Sequence, residues 1–219
     1  MNVYFLSGLG VDRRMFARLK FPAQFEIDHI DWILPLKREL LINYAKRLLS
    51  QMDGSQPFVL VGYSFGGMVA VEISKLLKAE QIILISSVST TRQIPWYYRV
   101  FGKLKLHTLI PACLFKIANP LTYWLFGAKT KEQKVFLKQI LIDTDTRFLK
   151  WAISKVLTWD NKVKPKNLYH IHAIDDKILP VKYTQADAKI ENGGHLMVYK
   201  QPEKISKLIT EKIKNPPTP

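Results

Sequence analysis

Cysteine is nearly missing from this chain of 219 residues. Cys113 stands alone, which excludes a disulfide-stapled scaffold. Long apolar runs are missing as well. A membrane span needs about 18 consecutive apolar residues, and the nearest approach, Leu109 to Phe126, is interrupted by Pro111, Lys116, Asn119 and Pro120. Met1-Asn2-Val3-Tyr4-Phe5-Leu6 has no basic start, extended apolar stretch or cleavage site, so no secretory signal is expected and the cytoplasm is the expected location. Acidic residues are scarce beside basic ones: 18 Asp and Glu face 33 Lys and Arg, a formal net charge of +15. No internal repeat is visible, and the only low-complexity stretch is a short Pro-rich end that reads as frayed. What is abundant is core-forming material. With 47% apolar and 11% aromatic residues the chain is too hydrophobic to be disordered, and its length suits one globular domain.

The apolar pattern alternates between two periods. Val3 to Leu6 reads as a buried strand running into Ser7-Gly8-Leu9-Gly10, after which Asp12 caps a short helix carrying Met15, Phe16 and Leu19. Phe25 to Trp32 reads as an imperfect strand. From Lys37 to Met52 the residues Leu40, Leu41, Tyr44, Leu48 and Met52 fall on one helical face. Phe58 to Val61 is a buried strand followed at once by Gly62-Tyr63-Ser64-Phe65-Gly66-Gly67 and an apolar helix through Leu77. Gln81 to Ile85, Tyr169 to Ala173 and Ala188 to Glu191 are further strands, and Pro202 to Ile213 is an amphipathic helix. Strands that are apolar on both faces and alternate with helices belong in a parallel sheet covered on both sides, so the fold class is α/β. Residues 90–159 break the alternation with a helical pattern that holds four of the five tryptophans.

Gly62-x-Ser64-x-Gly66 sits where a buried strand ends and an apolar helix begins. A serine on so sharp a turn is strained and exposed at the carboxyl edge of the sheet, and the flanking glycines let strand and helix approach it. The amino terminus of the following helix favours developing negative charge there. A serine hydroxyl needs a base to take its proton, and the base needs a third group to hold its tautomer. Among five histidines, His195 is the best placed, in Gly193-Gly194-His195-Leu196-Met197 just after the last short strand. His29, His107, His170 and His172 read as packed or exposed imidazoles. Asp175 and Asp176 both follow the strand from Tyr169, whereas the loop after Gln81 to Ile85, Ser86-Ser87-Val88-Ser89, offers no carboxylate. The chain order is therefore Ser64, then Asp175 or Asp176, then His195.

With these three loops the chain resembles a compact member of the α/β-hydrolase superfamily, over Val3 to Val88 and Tyr169 to Ile213. In such families the acid commonly precedes an apolar-Pro pair, as Asp176 precedes Leu179-Pro180, and the resemblance selects Asp176 over Asp175. It also implies an oxyanion hole made by the backbone N–H groups of Leu9 and Phe65, with Ser7 standing where the family usually has histidine. The family's leading antiparallel hairpin has no counterpart before Val3, so about six strands, all parallel, are expected, with helices on both faces. Residues 1–89 and 160–219 would form the α/β-hydrolase core, and residues 90–159 a helical cap. The implied chemistry is cleavage of a small-molecule ester or acyl thioester through Ser64, Asp176 and His195, with no metal or organic cofactor. Serine as nucleophile argues against the dehalogenases and epoxide hydrolases of the superfamily, which use aspartate. The same fold also serves lyases, C–C bond hydrolases and binding proteins, so a lyase, a C–C hydrolase or a basic carrier- or lipid-binding protein without turnover is the alternative.

Other motif matches carry less. Gly8-x-Gly10 with Asp28 or Asp31 about 20 residues on imitates a dinucleotide site, but Arg13 replaces the third glycine. His170-x4-Asp175 imitates an acyltransferase pair but runs along a strand into a turn. Nucleic-acid binding would rest on charge alone, with no stacking motif or basic recognition helix, and is not expected. The charge itself is concentrated. Residues 90–159 carry 12 Lys and Arg against Glu132, Asp143 and Asp145, a local net of +9, interleaved with aromatic residues. The plain expectation is a packed cap with solvated lysines; the further one is an apolar inner face for an acyl chain and a basic outer face for an anionic carrier or lipid surface.

Overall fold

The computed structural model describes residues 1–215, the side chains of Ala112 and Cys113 excepted. Six strands pair into one sheet: β1 (Asn2–Leu6), β2 (Glu26–Ile30), β3 (Phe58–Tyr63), β4 (Gln81–Ile85), β5 (Leu168–Ala173) and β6 (Ala188–Ile190). Their order is β2-β1-β3-β4-β5-β6, and every pairing is parallel, as the double-sided apolar character of the strands predicts. Every residue of β3 and β4 is buried. Alternate side chains feed two cores, one on each face. Val3, Phe5, Val59, Val61, Ile83 and Ile85 enter the first, and Tyr4, Leu6, Leu60, Ile82 and Leu84 enter the second.

The helices close those two faces. α1 (Leu41–Leu48) buries Leu41, Tyr44, Ala45 and Leu48, a stripe at helical spacing, in the second core. It is shorter than the stretch from Lys37 to Met52 that periodicity suggests. Leu40 still has an extended backbone and is exposed, so it precedes the helix instead of packing beneath it. α2 (Phe65–Ile73) is buried throughout and apolar except for Glu72, and it ends before Leu77. Four helices lie between β4 and β5: α3 (Trp96–Lys103), α4 (Pro120–Phe126), α5 (Lys131–Asp143) and α6 (Thr146–Thr158). α7 (Met197–Lys200) and α8 (Pro202–Lys214) follow β6. The Pro-rich end read from the sequence lies outside the described residues.

The root of the segment between β4 and β5 is clasped. Thr91 N–H donates to the Asn161 carbonyl at 2.8 Å, Asn161 N–H to the Thr91 hydroxyl at 2.7 Å, and the Asn161 side-chain amide to the Ser89 carbonyl at 2.7 Å. α5 sends Leu137, Ile140 and Leu141 into the first core, and α6 sends Phe148 and Ala152 into the second. No helix among the described residues is long and apolar enough to cross a membrane. Strand order reverses between β1 and β3, the crevice where open α/β sheets place their ligands.

Candidate active site

Ser64 lies at that reversal, directly after β3, with φ 52° and ψ −120°. A non-glycine residue in this region is strained and persists only where its surroundings hold it. The surroundings here leave no room for side chains: a Cβ on Gly62 would collide with the Cα of Gly67, and one on Gly66 with the Ser7 carbonyl oxygen. Ser64 N–H donates to the Ile85 carbonyl at 2.9 Å, and the Ser87 hydroxyl donates to the Ser64 carbonyl at 2.6 Å. The hydroxyl of Ser64 is thus presented from a turn fixed at both its donor and its acceptor.

Ser64 Oγ is 2.9 Å from His195 Nε2, and His195 Nδ1 is 2.8 Å from Asp176 Oδ2. A carboxylate only accepts, so Nδ1 carries the proton and Nε2 offers its lone pair to the serine O–H. The loop between β6 and α7 brings His195 in, and the turn after β5 brings Asp176. Asp176 is buried, and its Oδ1 accepts the N–H groups of Ile178 and Leu179, each at 2.9 Å. Burial would push this carboxyl up, but the neighbouring His195 and His172 and the hydrogen bonds to His195 and Leu179 outweigh it, so its pKa lies below the usual carboxylate value. Asp175 is exposed and does something else: its Oδ1 accepts the Gly194 N–H at 2.8 Å, tethering the loop that carries His195.

Leu9 is half-buried, and Phe65 opens α2 with its ring packed on Trp32 at 5.6 Å between centroids. Among the described residues their N–H groups have no hydrogen-bond acceptor. Ser7 is buried, and its hydroxyl donates to the Val11 carbonyl at 2.9 Å, closing the Gly8-Leu9-Gly10 turn from within. A cavity of about 190 Å³ lies just past this turn, walled by Val11, Trp32, Ile33, Leu34 and Phe148 on its apolar side and by Asp12, Asp143, Thr144 and Asp145 on its polar side.

Several neighbours of the site escape sequence reading. Tyr63 is buried, and its hydroxyl donates to the His195 carbonyl at 2.8 Å. Phe126, at the end of α4, meets the His195 ring edge-on at 5.6 Å. Behind Asp176 stands a buried histidine pair. His172 Nε2 is 2.6 Å from the Leu179 carbonyl, which only accepts, so that nitrogen carries a proton; it also lies 3.6 Å from Asp176 Oδ2. His172 Nδ1 then accepts from His170 Nε2 at 3.0 Å. Burial pushes both imidazoles down, His170 to about 3, so both are neutral at neutral pH. The only advance signal was their i, i+2 spacing on one face of a strand that ends at the acid. His29 packs beside Phe5 and Phe16, and His107 is buried within the segment that joins β4 to β5. No cluster of three or more His, Cys, Asp or Glu among the described residues is arranged to hold a metal ion.

A family model described as the thioesterase domain matches residues 36–90, about a quarter of the chain, which includes Ser64 and its glycines. Three solved structures superpose on nearly all of it. A thermophilic esterase from Thermogutta terrifontis is 16% identical with a TM-score of 0.73, over 98% of this chain and 89% of that one. MenH from S. aureus is 16% identical with a TM-score of 0.71, over 98% and 93%. The hydrolase olei00960 from Oleispira antarctica is 17% identical with a TM-score of 0.68, over 98% and 91%. The chain has the α/β-hydrolase fold. No curated protein matches it by sequence. In this α/β-hydrolase fold the strand carrying Ser64 is central, the loop carrying Leu9 flanks it on one side, and the turns carrying Asp176 and His195 arrive from the other.

Proposed function

We propose that the protein is a serine hydrolase of carboxylic esters or acyl thioesters. The observation that carries this reading is the unbroken hydrogen-bond chain from Asp176 through His195 to Ser64, ending on a strained turn between β3 and α2. As Ser64 Oγ attacks the carbonyl carbon, its proton passes to His195 Nε2, and Asp176 stabilises the imidazolium. The backbone N–H groups of Leu9 and Phe65 receive the negative charge that develops on the carbonyl oxygen. Collapse of the tetrahedral intermediate breaks the bond to the alcohol or thiol, which takes the proton from His195 and leaves. Water then gives a proton to His195 and attacks the acyl-serine. The carboxylic acid departs, and the proton returns to Ser64. The thioesterase-domain match and the likeness to esterases and hydrolases support the same reaction class.

In this reading residues 1–89 and 160–219 are the catalytic core and residues 90–159 cap it, Phe126 being the cap residue laid against His195. A fluorophosphonate probe tests the nucleophile: the native chain is labelled and the Ser64→Ala chain is not. Labelling that survives in Ser64→Ala refutes the assignment. Turnover of a series of p-nitrophenyl esters and acyl thioesters of increasing length then reads the acyl preference and the leaving group.

A further inference from the structure

Between Glu80 and Glu132 the chain contains no acidic residue, while Arg92, Arg99, Lys103, Lys105, Lys116, Lys129 and Lys131 lie within the same stretch. The structure turns the apolar side chains of part of this stretch outward. On α3, Tyr98 and Gly102 form the inner side: Tyr98 packs on the second core, Gly102 is buried, and the helix rests on α6. Trp96, Val100 and Leu104, spaced i, i+4 and i+8, form an exposed stripe on the opposite side, with exposed Arg99 and Lys103 beside it. Further along the same stretch Leu109 is 79% exposed, and on α4 Leu121 and Trp124 are 61% and 56% exposed. The same α4 carries Phe126 against His195, and Lys177, one residue past Asp176, lies over the Trp124 ring at 4.1 Å. The α4 part of this stretch therefore borders the candidate active site.

A soluble surface seldom gathers so many large apolar side chains in one place without a partner. Their composition identifies the partner. Indoles and leucines pointing outward, with lysine and arginine at their flanks and no acid among them, match the interface of a bilayer that carries negative headgroups: the apolar groups enter the acyl boundary and the cations meet phosphate. An acidic protein would be gripped by the cations and would leave the leucines and indoles unexplained. We infer that the face formed by α3, the turns after it and the outer side of α4 docks on an anionic lipid surface. The inference goes beyond the hydrolase reading and does not depend on it, because docking is measured without turnover.

The test is cosedimentation of the full chain with vesicles of phosphatidylcholine alone or with added phosphatidylglycerol. Binding is expected on the anionic vesicles, weak on the neutral ones, and reduced by salt. Lys103→Gln with Lys105→Gln should lower the partition by about 25-fold, at about fivefold for each cation near the surface. Leu104→Ser with Leu109→Ser should lower it by at least about tenfold, and since both residues are exposed, the unfolding midpoint stays put. Turnover of a soluble short-chain ester should be unchanged in both variants. Failure to bind anionic vesicles at low salt overturns the inference, as does equal binding by the leucine variant. Capture by an acidic acyl carrier protein that needs Lys103 and Lys105 but ignores the leucine variant also overturns it, in favour of a protein partner.

Discussion

Four tryptophans lie between β4 and β5, two in each half of that segment, and the halves treat them in opposite ways. Trp151 donates its indole N–H to the Glu39 carbonyl at 3.1 Å, and Trp159 donates to the buried carboxylate of Glu72 at 2.7 Å, so both are bonded into the body of the protein. Trp96 and Trp124 face outward. The acids divide in the same way. Residues 127–159 hold Glu132, Asp143 and Asp145; Glu132 pairs with Arg18 and accepts the Tyr199 hydroxyl, and Asp143 pairs with Arg14 at 2.8 Å. Residues 91–126 hold no acid. Composition alone makes both halves aromatic and basic, but the second half ties its tryptophans and two of its acids to the body of the protein, whereas the first packs Ile94, Tyr98 and Phe126 inward and leaves both of its tryptophans exposed.

The largest expected contrast is between adjacent residues at the site. Asp176→Asn should lower kcat by about 10⁴-fold because His195 loses the acceptor that sets its tautomer. Asp175→Asn, which touches only the Gly194 N–H, should cost less than about tenfold. Similar losses in the two variants, read by steady-state turnover of one ester, would remove the distinction drawn between them. Within the segment, Phe148→Ala should cost about 3–4 kcal/mol in urea unfolding, as a buried aromatic does. Leu109→Ala should stay within about 0.5 kcal/mol; a comparable cost would mean that the outer half is also packed.

Acid should act through the buried imidazoles. Because His170 is held below its unfolded value of 6.5, at about 3, the unfolded chain binds a proton that the folded chain refuses between those limits. Its contribution is complete above pH 6.5 and is lost as pH falls through that window, by roughly 1 kcal/mol per pH unit. His170→Asn should flatten the fall of unfolding free energy between pH 6.5 and 5, and an unchanged slope would assign the fall to other groups. The smallest effect belongs to the exposed ties: Arg18→Gln should cost less than about 1 kcal/mol and vanish in high salt.

Much of the architecture can be read from the chain. Parallel strands buried on both faces are continuous apolar runs, so β1, β3 and β4 stand out from their neighbours and make the sheet predictable. The turn at Ser64 is legible because few residue types satisfy a strained strand-to-helix junction, and glycine at Gly62 and Gly66 is one of them. His195 is legible because it follows the last strand between a glycine pair and an apolar run. Helix ends are less so: Leu40 fits the apolar period of α1, yet it falls outside the helix because the backbone there is still extended.

Other features depend on groups that meet only when the chain has folded. Ser64 and His195 are 131 residues apart, and Arg14 and Asp143 are 129 apart. Local periodicity carries no information about such meetings. The division of labour between Asp175 and Asp176, the histidine pair behind Asp176, and the ring of Phe126 on His195 are all of this kind. So is the split between the two halves of the segment. A short helix with apolar residues on several sides has no face marked in advance as the inner one, and which side is buried was decided by where α6 lay to receive it.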